Sequence, residues 1–186
     1  MVLKKIEKGL LLISDPSIIG DSTFNRSVIL LTEHNGSGSV GFVLNKPTPH
    51  TLHELIDDIH ADFVVYDGGP VEQDNLYFIH TLPQLITNSI EIADGIYWGG
   101  DFELTKNLIN EGQITKENIR FFLGYSGWTS NQLESEIELK SWIPVVNKHK
   151  IKLLQKSSKN FWKQKITALG GDYLLWSNAP ENPILN

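Results

Sequence analysis

A chain of 186 residues that is 40% hydrophobic, 10% aromatic and 20% charged has the make-up of an ordinary globular protein, and at this length roughly 70% of the unfolded surface can be buried without metals or disulfides. The absence of cysteine excludes disulfide scaffolds, thiol catalysis, iron–sulfur clusters and cysteine-type zinc sites. A net charge of −6 works against non-specific attachment to nucleic acid or anionic membrane, and no run reaches the roughly 18 apolar residues of a membrane span.

At the start, lysines precede an apolar run over 9–13, but the run is too short for a secretory leader and ends at Ser14-Asp15-Pro16, so a cytoplasmic location is expected. Residues 10–13 read as a strand. Residues 27–45 read as a β-hairpin, because β-branched and aromatic residues flank Asn35-Gly36, a dipeptide suited to the positive φ values of a tight turn. Thr51 and Glu54 form a capping box ahead of Leu52, Leu55, Ile56 and Ile59, which predicts a helix over 52–60. Strands are expected over 63–66, 76–80 and 95–98. Asp101 is placed to cap a helix carrying Phe102, Leu104, Leu108 and Ile109 that stops at Gly112. A strand over 120–123 follows, then a second box of Thr129 and Gln132 before Leu133 and Ile137. Residues 142–146 read as a strand, and Lys148, Lys150 and Lys152 alternate as on the solvent face of an edge strand. A last helix is expected from Ser158 to Gly170 and a last strand over 173–176. Strands and helices are interspersed without regular alternation and no linker divides the chain, which predicts one α+β domain over 1–186 with a mostly antiparallel or mixed sheet.

Several groups can carry chemistry. Gly68-Gly69-Pro70 and Gly99-Gly100-Asp101 end strands where backbone N–H groups can face an anion, or else they are tight turns with a helix cap. Gly124-Tyr125-Ser126-Gly127-Trp128 has the strand-to-helix setting of a nucleophile elbow, but Trp128 stands where the motif needs a second glycine. His34 and His80 are the candidate bases for such a serine, Glu33 and Asp101 the candidate acids. His53, Asp57 and His60, with His50 upstream, have metal-ligand spacing on the expected helix, a spacing that a solvated helix face also produces. No metal and no cofactor are expected. Arg26 and Arg120 are the only arginines among 16 basic residues, and both head apolar strands. There they suit either an anionic ligand or a structural pairing with Glu33, Asp21 or Asp101. From residue 139 to 171 the chain holds eight lysines and no acid. Segment 140–165 is therefore the one candidate face for nucleic acid or an acidic protein, although lysines without arginine read bases poorly.

The order of these motifs carries a resemblance. The runs 9–16, 24–34 (with Arg26 and His34), 41–47 (with Asn45), Gly68-Gly69-Pro70-Val71, Gly99-Gly100-Asp101 and 120–128 (with Arg120, Tyr125, Ser126 and Trp128) are similar to the successive motifs of the bacterial YqgE/AlgH family. So are Gly170-Gly171-Asp172-Tyr173 and Asn182-Pro183 near the end. The resemblance implies an α+β domain with coiled, branching sheets around a few helices, found in bacterial cytoplasm. One branch of the family is named as a regulator of alginate production, which associates it with transcriptional control. The family tolerates alanine at the position matching Ser126, and the helix histidines lie outside its main motifs. The expected function is a non-enzymatic binding or regulatory protein with a protein partner or a small anionic ligand. The alternative is an enzyme or anion-binding protein with a pocket around Arg26, His34, Asp101 and Arg120.

Overall fold

The computed structural model describes residues 5–18, 20–156 and 159–179. In chain order the strands are β1 (Leu11–Ser14), β2 (Val28–Asn35), β3 (Gly38–Val43), β4 (Pro47–Thr51), β5 (Val64–Asp67), β6 (Val71–His80), β7 (Ile90–Ala93), β8 (Ile96–Trp98), β9 (Ile119–Thr129) and β10 (Trp142–Val145). The helices are α1 (Leu52–Leu55), α2 (Phe102–Asn110), α3 (Gln132–Glu138), α4 (Phe161–Leu169) and α5 (Tyr173–Trp176). The sheet runs β10-β1-β2-β3-β9-β6-β8-β7, and β4 and β5 branch from it at β9. All pairings are antiparallel except β5 with β9. This is the α+β class with the branching, mostly antiparallel sheet expected.

Alternate side chains of one strand enter opposite clusters, because successive Cβ atoms leave a strand on opposite faces. Leu11, Leu30, Phe42, Phe122, Ile79, Ile96, Ile92 and Ile143 share one core, so the first and last strands of the sheet line the same interior and the sheet must coil. Their neighbours Leu12, Ile29, Leu31 and Val43 pack outward against α3, and Phe121 packs towards α2. β1 is buried on both faces, hence its unbroken apolar run. Helix α4 closes the coil: Phe161, Trp162 and Ile166 enter the first core, and the Trp162 indole donates to the Ser14 carbonyl at 2.9 Å.

Four local expectations are corrected. Helix α1 is one turn rather than 52–60: its capping box forms, but Ile56 is extended at φ −133°, and the chain turns so that Ile59 is buried. His53, Asp57 and His60 therefore do not share a helix face, and His53 Nδ1 instead meets Asp62 at 2.9 Å. Lys150–Leu153 is a 3₁₀ turn and not an edge strand, because the adjacent Leu153 and Leu154 both enter the same core, which the alternation of a strand forbids. Tyr173–Trp176 is a helical turn; it finds no strand to pair with, and Leu175 is 79% exposed. Helix α3 begins after Asn131, in the left-handed region at φ 60°, while Gln132 bonds back to the Thr129 amide at 2.9 Å. Ser158 and the ending at Asn182, Pro183 and Asn186 lie outside the described residues. Among the described residues no helix is long and apolar enough to cross a membrane.

Candidate functional site

One cavity is a groove of about 880 Å³. One wall is the segment entering β2 (Ser22, Asn25, Arg26) with the start of β4 (Asn45 to Pro49) and Asp67; the other is Lys159 to Lys163 at the start of α4. Arg26 sits in the left-handed region at φ 55°, a costly place for a non-glycine residue. Asn45 holds it there by donating from Nδ2 to the Arg26 carbonyl and accepting from the Val28 amide, both at 2.8 Å. The Arg26 guanidinium lies 5.1 Å from the centre of the Trp162 ring and donates to the Ala179 carbonyl at 2.7 Å. Lys46 bonds the carbonyls of Ser22, at 2.9 Å, and Thr23. Burial lowers the pKa of its ammonium, against the pull of Asp67 and Asp21. Among the described lining residues, Arg26, Lys46, Lys159 and Lys163 face a single carboxylate, Asp67.

Arg26 and Asn45 are the two sequence candidates that the structure brings together in this groove. Arg120 is 6% exposed and bonds carbonyls instead of Glu33, Asp21 or Asp101. Nη1 donates to Leu44 at 2.8 Å, and Nη2 to Leu154 at 2.8 Å and Lys156 at 3.0 Å, with the Tyr66 ring 4.6 Å away. Burial lowers its pKa. Asp101 caps α2 through the Leu104 amide at 3.0 Å. His34 lies elsewhere, 2.8 Å from Ser39 and 3.7 Å from Glu134. Trp128 is fixed by Glu136, whose Oε2 accepts the indole N–H of both Trp128 and Trp142 at 2.8 Å. Glu136 carried no motif that would have marked it. Tyr125 packs edge-on to Tyr77 and lines a separate hollow with Val40, Val71 and Gly127.

Of the paired glycines, Gly68, Gly69 and Gly100 serve close packing, while Gly99, at φ 66°, has nothing within 4 Å of an added Cβ and answers to backbone conformation alone. A Cβ on Gly68 would lie 2.2 Å from the Gly124 carbonyl oxygen, and one on Gly100 2.8 Å from that of Thr87, while the exposed Pro70 merely closes the turn. Ser126 is buried and donates to the Gly68 carbonyl at 3.1 Å, which also accepts from the Val43 amide at 3.0 Å. Ser126→Ala is therefore expected to fold and to lose about 1 kcal/mol. A shifted urea midpoint with unchanged slope would report this; a loss of several kcal/mol would contradict it.

His80 is committed on both ring nitrogens. Nδ1 accepts from the Leu82 amide at 3.1 Å, so Nε2 carries the proton and donates to the Gly99 carbonyl at 3.0 Å. Burial, opposed by the bond to Gly99, lowers its pKa. A neutral histidine is thus stabilising above its unfolded value near 6.5. That stability declines as pH falls, because the unfolded chain takes up a proton that the folded one refuses. His149, lowered by burial and by Lys165 and Lys156, acts in the same direction. Between pH 7.5 and 5.5, wild type should lose stability at up to about 1.4 kcal/mol per pH unit more than His80→Gln. Parallel urea melts giving equal slopes for both proteins would refute this. Among the described residues no three His, Asp or Glu side chains converge as a metal site requires.

A family model described as AlgH-like matches residues 11–174. A UPF0301 protein from Cytophaga hutchinsonii is 44% identical over 183 residues, covering 97% of this chain and 100% of that protein. One from Bacteroides fragilis is 40% identical over 181 residues, covering 96% and 91%. Among solved structures, a protein from Corynebacterium diphtheriae matches with a TM-score of 0.75 at 22% identity over 96% of this chain and 95% of that one. The AlgH protein from Pseudomonas aeruginosa matches with a TM-score of 0.70 at 24% identity over 92% and 93%. At those identities the two structures speak to the fold alone.

Proposed function

This chain belongs to the AlgH-like family, and we propose that it is a non-enzymatic cytosolic protein that binds a small anionic ligand and exerts a regulatory effect through that binding. The observation that carries this reading is the groove, whose described lining brings Arg26, Lys46, Lys159 and Lys163 together with Asp67. Cationic side chains gathered round one concavity sum their fields there and attract an anion. The commitments of the catalytic candidates favour binding over turnover. The Ser126 hydroxyl is spent on a buried carbonyl, and both nitrogens of His80 are spent on the backbone. Location in the cytosol and a link to transcription rest on the family resemblance. Segment 140–165 would touch a nucleic acid only through lysines, which hold phosphates as point charges without reading bases.

The test is a thermal-melt screen against phosphate, sulfate, citrate, sugar phosphates and nucleotides at matched ionic strength. A ligand at about 100 times its Kd adds about 2.7 kcal/mol, or about 5–10 °C in Tm for a chain of this size. Lys163→Glu, on an exposed residue of the groove wall, should leave the unliganded Tm unchanged and abolish most of the rise. If no anion raises the Tm, this reading is wrong.

A further inference from the structure

Away from the groove, Lys165 is held in a setting of its own. It lies on α4 one turn after Phe161, so the two side chains stack along the helix, and its Nζ is 5.3 Å from the centre of the buried Phe161 ring. His149 packs on the same ring at 6.1 Å. Both Lys165 and His149 are half-buried, and among the described residues neither side chain has a hydrogen bond or an ion pair. Two other lysines drawn in from solvent are treated differently. Lys46 gives its protons to the carbonyls of Ser22 and Thr23, and Lys106 pairs with Glu103 at 2.9 Å. An ammonium with an acceptor keeps its proton; one that is partly desolvated without an acceptor holds it less firmly.

The ring face of Phe161 returns some stabilisation to the cation, but the charged groups around Lys165 are cations as well. Lys156 is anchored through its carbonyl, which accepts from Arg120 at 3.0 Å, and Lys148 directly precedes His149 in the chain. Burial first, and then the charges of Lys156 and Lys148, lower the Lys165 pKa, and burial, Lys165 and Lys156 lower that of His149. No carboxylate occurs from residue 139 to 171 to oppose them. A lysine desolvated beside other cations holds more free amine at neutral pH, and the free amine is the nucleophile. The field that loosens its proton also draws in anions. A matching electrophile is small, activated at a carbonyl and negatively charged beside it, and an acyl phosphate has all three properties.

We infer that Lys165 is a covalent modification site, the amine that small acyl phosphates acylate in preference to the exposed lysines of the same basic segment. The ammonium first gives one proton to water. The Nζ lone pair then attacks the carbonyl carbon, the N–C bond forms, and the bond from that carbon to the bridging oxygen breaks. Phosphate leaves with the electron pair of that bond in the field of Lys148 and Lys156, and takes the second nitrogen proton to become hydrogenphosphate. The product is a neutral amide, which ends the repulsion of Lys165 with Lys156 and Lys148 and places an apolar side chain on the Phe161 ring.

The experiment is acetylation of the intact protein by acetyl phosphate at neutral pH, with the rate at each lysine read by peptide mass spectrometry. Lys150 and Lys152, both exposed, are the internal reference. Lys165 is expected to react about tenfold faster than either. The double variant Lys148→Gln/Lys156→Gln, which removes both flanking charges, should slow Lys165 by about threefold or more. The uncharged N-hydroxysuccinimide ester of acetic acid should still prefer Lys165, by a smaller margin, since the field does not attract it. Lys165→Gln, which resembles the neutral product, should melt at or above the wild-type Tm. A Lys165 rate no greater than those of Lys150 and Lys152 overturns the assignment, as does an undiminished rate in the double variant. An equal margin for the uncharged ester overturns the choice of acyl phosphates, and a lower Tm for Lys165→Gln would show that the charge on Lys165 holds the helix in place and is not there to be lost.

Discussion

Arg120→Ala is expected to cost about 3–5 kcal/mol, a large part of the 5–15 kcal/mol that holds a typical domain together. The guanidinium is buried and satisfies the carbonyls of Leu44, Leu154 and Lys156 at 2.8–3.0 Å, and among the described residues no carboxylate pairs with it. Truncation strands these acceptors away from water, at about 1–3 kcal/mol each if none finds a new donor, and opens a void beside Tyr66. Arg120→Lys should recover only part of the loss, since one ammonium cannot reach three carbonyls on separate segments as the fork does. The damage is also local. Leu154 and Lys156 belong to the segment that carries the chain into α4, so partial opening there should expose Lys150, Lys152 and Lys156 to trypsin before the sheet unfolds. Urea melts and limited proteolysis measure both effects. An Arg120→Ala protein within 1 kcal/mol of wild type and equally resistant to trypsin would show that the arginine does not hold that segment.

Gly69→Ala is expected to be as damaging, at about 3–5 kcal/mol, for two additive reasons. Gly69 has φ 144°, which side-chain-bearing residues rarely adopt, and a Cβ there would sit 2.4 Å from both the Ser126 hydroxyl oxygen and the Tyr125 carbonyl carbon. The second obstacle is backbone of a central strand and cannot move aside. Gly112→Ala is the control. Its φ is 72° with nothing within 4 Å of the added Cβ, so only the conformational cost of about 1 kcal/mol applies. Similar melts for the two variants would mean that the close approach at Gly69 relaxes freely.

What was legible in the sequence follows the range of the forces involved. The hairpin, the Thr51–Glu54 box and the Asp101 cap form because their determinants lie within a few residues of one another. β6 was read only over 76–80, because Glu72, Gln73, Asp74 and Asn75 are exposed and carry no apolar signal. The spacing of Leu52, Leu55, Ile56 and Ile59 suggested a longer helix, but burying Ile59 required a turn. Likewise the alternating lysines suggested a strand where Leu153 and Leu154 required a 3₁₀ turn. In the groove, Arg26 and Asn45 stood out in their own motifs, and Lys46 follows directly. Lys159 and Lys163 were visible only as part of a local excess of charge. Nothing local could pair them with Arg26, because α4 reaches that wall by docking Phe161, Trp162 and Ile166 into a core built from strands far back in the chain.

The position of β9 has a consequence for how the chain is made. This strand alone joins β3, β5 and β6, yet it begins only at Ile119. While the ribosome is still delivering the residues before it, the β2–β3 hairpin, the β4–β5 pair and β6 all present backbone edges with no neighbour, the surfaces through which nascent chains stick to one another. The three pairings of β9, and that of β10 with β1, span long stretches of sequence, and distant contacts of this kind slow assembly. For cotranslational folding β9 is a keystone: a chain stalled short of it is a set of open-edged fragments, and the groove exists only after α4, later still, has docked.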